Sequence, residues 1–179
     1  MRKNQQKFSW MNQNLEVKDT KKYGKGVFAK KDIKKGETLF VMGGYILTID
    51  DENKLKGIVA DKPIEISNQF SIGPRTAFDL KKMPQHYVNH GCNPNAGFKG
   101  QIFMLAMKKI RKDEEICYDY AMVMNSSPNS NSYFTFDCKC GAKNCRKKIT
   151  EDDWKIKGLQ KRYNGYFQWF LQNKILQEI

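Results

Sequence analysis

The chain has 179 residues, a length that suits one domain with appendages and a hydrophobic core of its own. It holds no run of about 18 apolar residues, so no membrane span is expected, and Met1 to Gln6 lack the apolar stretch of a secretory signal, which leads us to expect a cytoplasmic or nuclear protein. Its five cysteines, three of them clustered from Cys138 to Cys145, suit a metal site in a reducing compartment better than a disulfide framework. The formal charge of +13 implies weak attraction to nucleic acid or chromatin, although the lysines are spread along the chain and most of them simply solvate its surface.

In chain order, residues 1–14 form a polar arm in which Phe8 and Trp10 offer apolar anchors. Leu15 to Lys18 reads as a short strand and Asp19 to Lys22 as a basic turn. In the next turn, Tyr23 to Gly26, two glycines let backbone approach a ligand closely. Val27 to Ala29 is a predicted strand and Lys34 to Glu37 a turn. Thr38 to Leu47 is a longer strand, interrupted at Gly43-Gly44 by a bulge or a close backbone approach. Residues 50–65 are charged and irregular, with one helical turn around Asp51 to Gly57. Phe70 to Ile72 is a strand stopped by Gly73-Pro74, and residues 75–85 are expected to be loop.

The apolar pair Tyr87-Val88 leads into Asn89 to Asn95, whose three Asn, one Gly and one Pro are turn chemistry. Ala96 to Phe98 and Gln101 to Met107 form a hairpin around Lys99-Gly100. A charged turn, Lys108 to Glu114, then feeds a short strand that places Tyr118 and Tyr120 on one face. On pattern alone, two tyrosines so placed are core packing. Many short strands with Gly-rich turns and little helix predict a mainly β domain.

Met124 to Ser132 is a polar linker. Its Asn125-Ser126-Ser127 matches a glycosylation acceptor, which we attribute to chance in a chain without a secretory signal. Tyr133 to Phe136 leads into the cysteine cluster. Thr150 to Asp153 has capping-box spacing ahead of Trp154, which predicts a helix start. From Leu159 the apolar residues recur at helical spacing, with Tyr163, Phe167, Phe170 and Ile175 on one face. Such a face most commonly packs back onto its own domain rather than onto a membrane or partner.

Four segments occur in a telling order: Gly24-Lys25-Gly26-Val27-Phe28-Ala29, then Asn89-His90-Gly91-Cys92-Asn93-Pro94-Asn95, then Glu114-Glu115-Ile116-Cys117-Tyr118-Asp119-Tyr120, then Cys138-Lys139-Cys140 with Cys145. Together they cover most of residues 15–150, and the chain resembles the SET-domain protein-lysine N-methyltransferases of a small bacterial or viral type, with a post-SET cysteine cluster. The resemblance implies a mainly β (α+β) SET fold: small curled sheets with a pseudoknot, a zinc-bound post-SET segment and a C-terminal helix. It divides the chain into an arm (1–14), a SET domain (15–122), a flexible linker (123–133), a post-SET segment (134–150) and a helical extension (151–179).

The resemblance also implies S-adenosylmethionine as methyl donor and a lysine in a protein tail or loop, of a histone or another protein, as the group that receives one or two methyls. Tyr120 matches the family's catalytic tyrosine and Tyr118 the position that tunes the product. Gly24, Lys25, Gly26, Asn89, His90 and Tyr120 match positions that hold the donor, His90 through its backbone and so structurally. Cys138, Cys140 and Cys145 supply three thiolates, and the family closes such a structural zinc site with the cysteine at Cys92. Cys117 is left as an ordinary buried thiol. A substrate peptide is expected to add as a strand along an exposed edge.

At three places the chain departs from the family pattern. Val41-Met42-Gly43-Gly44-Tyr45 replaces Glu-Tyr-x-Gly-Glu, His86 stands where Arg is usual, and Lys147 stands where Gly usually comes after the last cysteine. We expect His86 to be a satisfied structural residue. The alternative reading is an inactive SET-like, zinc-containing binding module. Tyr118-Asp119-Tyr120 and Asn89-His90 favour the enzyme over it.

Overall fold

A computed structural model describes residues 8–20, 24–125 and 133–177. Turn residues break the chain so often that no described strand exceeds six residues. In order these are β1 (Trp10–Met11), β2 (Leu15–Thr20), β3 (Gly24–Ala29), β4 (Thr38–Val41), β5 (Tyr45–Thr48), β6 (Ile64–Glu65), β7 (Phe70–Gly73), β8 (Asn89–His90), β9 (Ala96–Lys99), β10 (Phe103–Ala106), β11 (Glu115–Tyr118), β12 (Thr135–Asp137) and β13 (Lys148–Thr150). Four short helices accompany them: α1 (Ile49–Asn53), α2 (Ala77–Lys81), α3 (Lys157–Arg162) and α4 (Trp169–Gln177). None of the described helices is long and apolar enough to cross a membrane.

The strands form four small sheets, ordered β1-β4-β10-β9, β2-β3-β11-β8, β5-β7-β6 and β12-β13. All pairings are antiparallel except β8 with β11, which run parallel. Leu15, Val27, Phe40, Phe98, Met104 and Ile116 come from the first two sheets. They share one buried cluster with Trp154, Tyr163, Phe167, Leu171 and Ile175 of the C-terminal segment. Each large apolar side chain so buried contributes about 1.5–3 kcal/mol. The C-terminal segment therefore packs back onto the sheets, as its apolar spacing predicts.

Several local expectations are corrected. Thr38 to Leu47 is not one strand but two, in different sheets, and Gly43-Gly44 is where the chain changes sheet. The close backbone approach expected there is present: a Cβ on Gly43 would meet the Phe8 carbonyl oxygen at 1.7 Å, and one on Gly44 would meet the Gly73 backbone at 2.8 Å. Asp19 and Thr20 extend β2, and Gly24 to Gly26 open β3, so neither group of residues is a turn. Lys21, Lys22 and Tyr23 lie outside the described residues, as does most of the linker, residues 126–132, with the serines of the glycosylation match. Asn125, at the linker's start, is tied down: its amide donates to Glu65 at 2.5 Å and accepts from Lys174 at 3.0 Å.

Residues 75–85 are not loop. Thr76 and Asp79 form a reciprocal capping box that starts α2, and Pro84–Tyr87 makes a 3₁₀ turn. The Thr-x-x-Asp spacing carried that signal. At Thr150 the hydroxyl does donate to Asp153 at 2.9 Å, but it introduces a 3₁₀ turn, Asp153–Lys155, and only then does α3 begin. Gly165, at φ +75°, splits the predicted helix into α3 and α4. Leu171 is buried in the place expected for Phe170, which is only half-buried.

Candidate active site

The two central motifs meet where β8 runs beside β11, with Asn89 opposite Cys117 and His90 opposite Tyr118. Two residues are a meagre strand, and Asn95 completes the ladder. Its backbone N–H donates to the Cys117 carbonyl at 3.1 Å, its side-chain oxygen accepts from the Cys117 N–H at 2.9 Å, and its side-chain amide donates to the Glu115 carbonyl at 2.8 Å. Asn95 is 2% exposed, so this replaces hydrogen bonds that burial would otherwise leave unmade. Gly91 is needed for the same contact, because a Cβ there would meet Cys117 Sγ at 2.7 Å. Cys117 itself is half-buried rather than fully buried, and burial pushes its thiol up to about 11.

Tyr118 and Tyr120 do share a face, with ring centroids 5.0 Å apart, but not as neighbours on a strand. β11 ends at Tyr118; Asp119 then caps a 3₁₀ turn, Tyr120–Met122, by accepting the Ala121 N–H at 3.1 Å. The Tyr120 hydroxyl donates to the Val88 carbonyl at 3.4 Å. Burial pushes that hydroxyl up to about 12 and the Tyr118 hydroxyl well above its ordinary value, so both stay protonated at neutral pH.

His90 is held on both nitrogens. Its Nδ1 accepts the Tyr120 N–H at 3.2 Å, which leaves the ring proton on Nε2, 3.2 Å from Cys92 Sγ. Burial drives the imidazole down to about 4, against the pull of Asp119. A neutral ring whose Nδ1 already accepts makes no ion pair with Asp119, despite a separation of 3.7 Å. Asn89 spends its amide on the Lys25 carbonyl at 3.1 Å and on Glu115 at 2.7 Å. Gly26 fits against Glu115 and Asn89, where a Cβ would meet Glu115 Oε1 at 2.6 Å and Asn89 Nδ2 at 3.1 Å.

A cavity of about 670 Å³ is lined by Val88, Tyr118, Tyr120, Phe134 and Phe136, among others. A second recess of about 290 Å³ is lined by Gly91, Asn93, Glu115 and Gly141. Asn89, His90 and Cys140 line both. Gly24, Lys25 and Gly26 lie on the strand beside Asn89, and none of them lines either recess. His86 also faces the larger cavity. Contrary to expectation it is not fully satisfied: its Nε2 is buried with no hydrogen-bond partner among the described residues, and burial pushes the ring down to about 4. The aromatic pair Phe134 and Phe136 was not among the predicted site residues; its only sequence signal is position just before the cysteines.

The hairpin of β12 and β13 brings Cys138, Cys140 and Cys145 to Cys92, with all four sulfurs within 4.8 Å of one another. Zinc–sulfur bonds of about 2.3 Å in a tetrahedron put sulfurs roughly 3.8 Å apart, and Cys92 and Cys138 stand at 3.9 Å. Four thiols so close cannot all ionise without a cation between them, so the donor set fits zinc and leaves no open position for chemistry. Asn144 donates to the Cys92 carbonyl at 2.7 Å, and the Arg146 N–H donates to Cys92 Sγ at 3.4 Å. Lys147 sits at φ +67°, a left-handed conformation that favours glycine.

Residues 24–121 match the SET domain family profile, and the chain belongs to that family. It is similar to histone-lysine N-methyltransferase 2B of Homo sapiens, at 27% identity over 70% of this chain and 5% of that protein. It also resembles the variant-silencing SET domain-containing protein of Plasmodium falciparum (31% identity, 74% of this chain, 5% of that one). A third relative is histone-lysine N-methyltransferase ASHH3 of Arabidopsis thaliana, at 28% identity over 75% of this chain and 38% of that protein. The chain thus spans well under half the length of each. Among solved structures, KRYPTONITE in complex with mCHH DNA, H3(1-15) peptide and SAH matches 77% of this chain and 30% of that one, with a TM-score of 0.54. At 22% identity this likeness establishes the SET fold alone, which in this chain is small sheets with a C-terminal helix and the two central motifs side by side.

Proposed function

We propose that the protein is an S-adenosylmethionine-dependent protein-lysine N-methyltransferase that adds mainly one methyl group, with dimethylation slower. The observation that carries this reading is that Asn89 and His90 line both the tyrosine-lined cavity and the smaller recess. Transfer of a methyl from a sulfonium to an amine is an in-line displacement, so donor and acceptor must approach one narrow opening from opposite sides. The smaller recess suits a nucleoside donor: it offers backbone groups of the Gly91 turn and the polar side chains of Asn93 and Glu115, and Gly141 adds no side chain to fill it. The donor, when bound, supplies the methyl on a positively charged sulfur.

The chain's own residues supply orientation. The Tyr118 and Tyr120 rings exclude water from the amine's approach. Because the Tyr120 proton is directed to the Val88 carbonyl, its oxygen lone pairs remain to accept an N–H of the amine and aim the nitrogen lone pair. Holding reactants in line supplies up to roughly 7–11 kcal/mol in the best intramolecular cases. We assign Asn89 and His90 to the donor side, with Gly24, Lys25 and Gly26 behind them, outside the recess itself, where the Lys25 carbonyl holds the Asn89 amide. Cys92, Cys138, Cys140 and Cys145 hold one structural zinc that closes residues 134–150 over the cavity.

The substrate we infer is a lysine in a histone or another basic protein segment. Two relatives are named histone-lysine N-methyltransferases, and the KRYPTONITE complex holds an H3 peptide and SAH. The cavity's own charge agrees. In a chain of formal charge +13, it is lined by Glu52, Asp61, Glu65, Asp137 and Glu151 against Lys62 and Lys139. The test is incubation with labelled donor and histones, ribosomal proteins or lysate, read by mass spectrometry, with donor and S-adenosylhomocysteine binding measured by calorimetry. Methyl-lysine on a substrate is the expected result. Neither transfer nor donor binding would instead make the chain an inactive SET-like binding module.

A further inference from the structure

One buried group has no part in the proposed transfer. Asp119 sits between the two tyrosines, is 0% exposed, and receives hydrogen bonds on both carboxylate oxygens. The Ala121 N–H donates to Oδ1 at 3.1 Å, and the two terminal nitrogens of Arg146 donate as a fork to Oδ1 and Oδ2 at 2.7 and 2.5 Å. The fourth donor is the Tyr163 hydroxyl, 3.0 Å from Oδ2. Arg146 is shared with Asp153, at 2.9 Å from Nε, and Asp153 is held in turn by the Thr150 hydroxyl at 2.9 Å. Tyr163 is 1% exposed, and its hydroxyl also lies 3.4 Å from the Cys92 carbonyl.

Arg146, Asp153 and Tyr163 all lie beyond residues 24–121, the stretch that defines the family. Yet they converge on the residue that caps the turn carrying Tyr120. A buried charge network is a poor source of stability, because desolvation offsets most of the attraction and an apolar replacement often serves as well. What such a network does well is hold one geometry, since a two-pronged guanidinium on a carboxylate fixes angle as well as distance. A shift of about 1 Å in a reacting group costs up to roughly a hundredfold in rate.

We propose that Tyr163 is a positioning residue for Tyr120, acting through Asp119 together with Arg146, so that the segment after the cysteine cluster governs turnover without touching substrate. The proposal rests on the reading of Tyr120 as the channel tyrosine. Removing the Tyr163 hydroxyl leaves its ring in the core but takes one of four donors from Asp119, which loosens the 3₁₀ turn. Tyr163 itself lines neither the cavity nor the donor's recess.

The test compares Tyr163→Phe with Phe167→Leu. Phe167 packs near Tyr163, with ring centroids 6.3 Å apart, but has no part in the Asp119 network, so its loss reports packing alone. For Tyr163→Phe we expect kcat to fall roughly three- to tenfold, with peptide KM and S-adenosylhomocysteine affinity within twofold of the parent. Backbone amide exchange over residues 120–123 should quicken. Phe167→Leu should lower the melting temperature at least as much, yet leave kcat and that exchange unchanged well below melting. The positioning role is overturned if Tyr163→Phe keeps its kcat, or if Phe167→Leu loses as much. A parent protein that transfers no methyl to any substrate would instead sink the reading of Tyr120. In that case the exchange measurement still decides the link: unchanged exchange in Tyr163→Phe breaks it, and faster exchange upholds it.

Discussion

At the scale of single residues, the proposed function divides the work of Tyr118 and Tyr120 between volume and orientation. Tyr120→Phe keeps the ring that packs edge-on against His90, 5.2 Å away, and loses only the hydroxyl. Folding and donor binding should survive, while turnover falls roughly ten- to a thousandfold, the scale of losing one positioned polar group. Turnover equal to the parent's would remove Tyr120 from the mechanism. Tyr118 is proposed to limit the room at the amine instead. It is 8% exposed and wedged between Phe98 and Tyr120, with centroids 5.4 and 5.0 Å away, so the ring cannot withdraw to admit a larger methylated nitrogen. Tyr118→Phe opens space where the hydroxyl stood, and time-resolved mass spectra of one peptide should shift from mainly monomethyl-lysine toward higher states. A parent enzyme that runs directly to trimethyl-lysine would show this argument to be wrong.

At the scale of elements, we expect the β12–β13 hairpin to depend on metal more than on its own packing. The small cluster it contributes to has only Cys92, Cys138 and Ile149 fully buried. A two-stranded hairpin with so little apolar surface is marginal alone. Metal analysis should therefore give about one zinc per chain, the stoichiometry of four thiolates in a tetrahedron. Chelation should detach Phe134 and Phe136 from the cavity and abolish methyl transfer, while the Asn89 and Tyr118 ladder, built from backbone and Asn95, persists by amide exchange. A zinc-free, fully active protein would refute the structural zinc.

At the scale of the whole molecule, stability should fall as pH falls, and the histidines set the window. The chain has two, and burial pushes both to about 4 in the folded state, against about 6.5 when unfolded. Between those values the unfolded chain binds protons that the folded one does not, so stability is complete above about pH 6.5 and is lost progressively toward pH 4. Each histidine accounts for on the order of 2–3 kcal/mol over that range. Glu65 and Glu151, raised by burial, act in the opposite sense. Urea unfolding at pH 7 and pH 5 should give a markedly smaller difference for His86→Leu than for the parent. An equal difference would show that His86 is not buried neutral.

Much of the site was legible in one dimension because its chemistry is carried by short strings. Asn89-His90, Tyr118-Asp119-Tyr120 and the cysteine spacing identify a SET protein without coordinates, and Cys92, which the resemblance adds to the cluster, stands with the other three cysteines, all four sulfurs within 4.8 Å of one another. Apolar spacing likewise foretold that Tyr163, Phe167 and Ile175 would be buried. Local pattern failed where a long-range contact outweighed it. Thr38 to Leu47 reads as one strand because its apolar content is continuous, but the backbones of Phe8 and Gly73 pass close to Gly43 and Gly44 and divide it. Tyr118 and Tyr120 have strand spacing, yet Asp119 turns the chain between them, because its carboxylate is held by Arg146 and Tyr163, 27 and 44 residues away. Nor does a basic chain announce an acidic cavity, since Glu52, Glu65 and Glu151 meet only when three separate elements close around it. Sequence by itself determined the family and the order of its motifs, because covalent neighbours encode motifs. Tertiary structure alone decided what holds those residues still and what charge surrounds them, because both depend on side chains that only folding brings within a few ångströms.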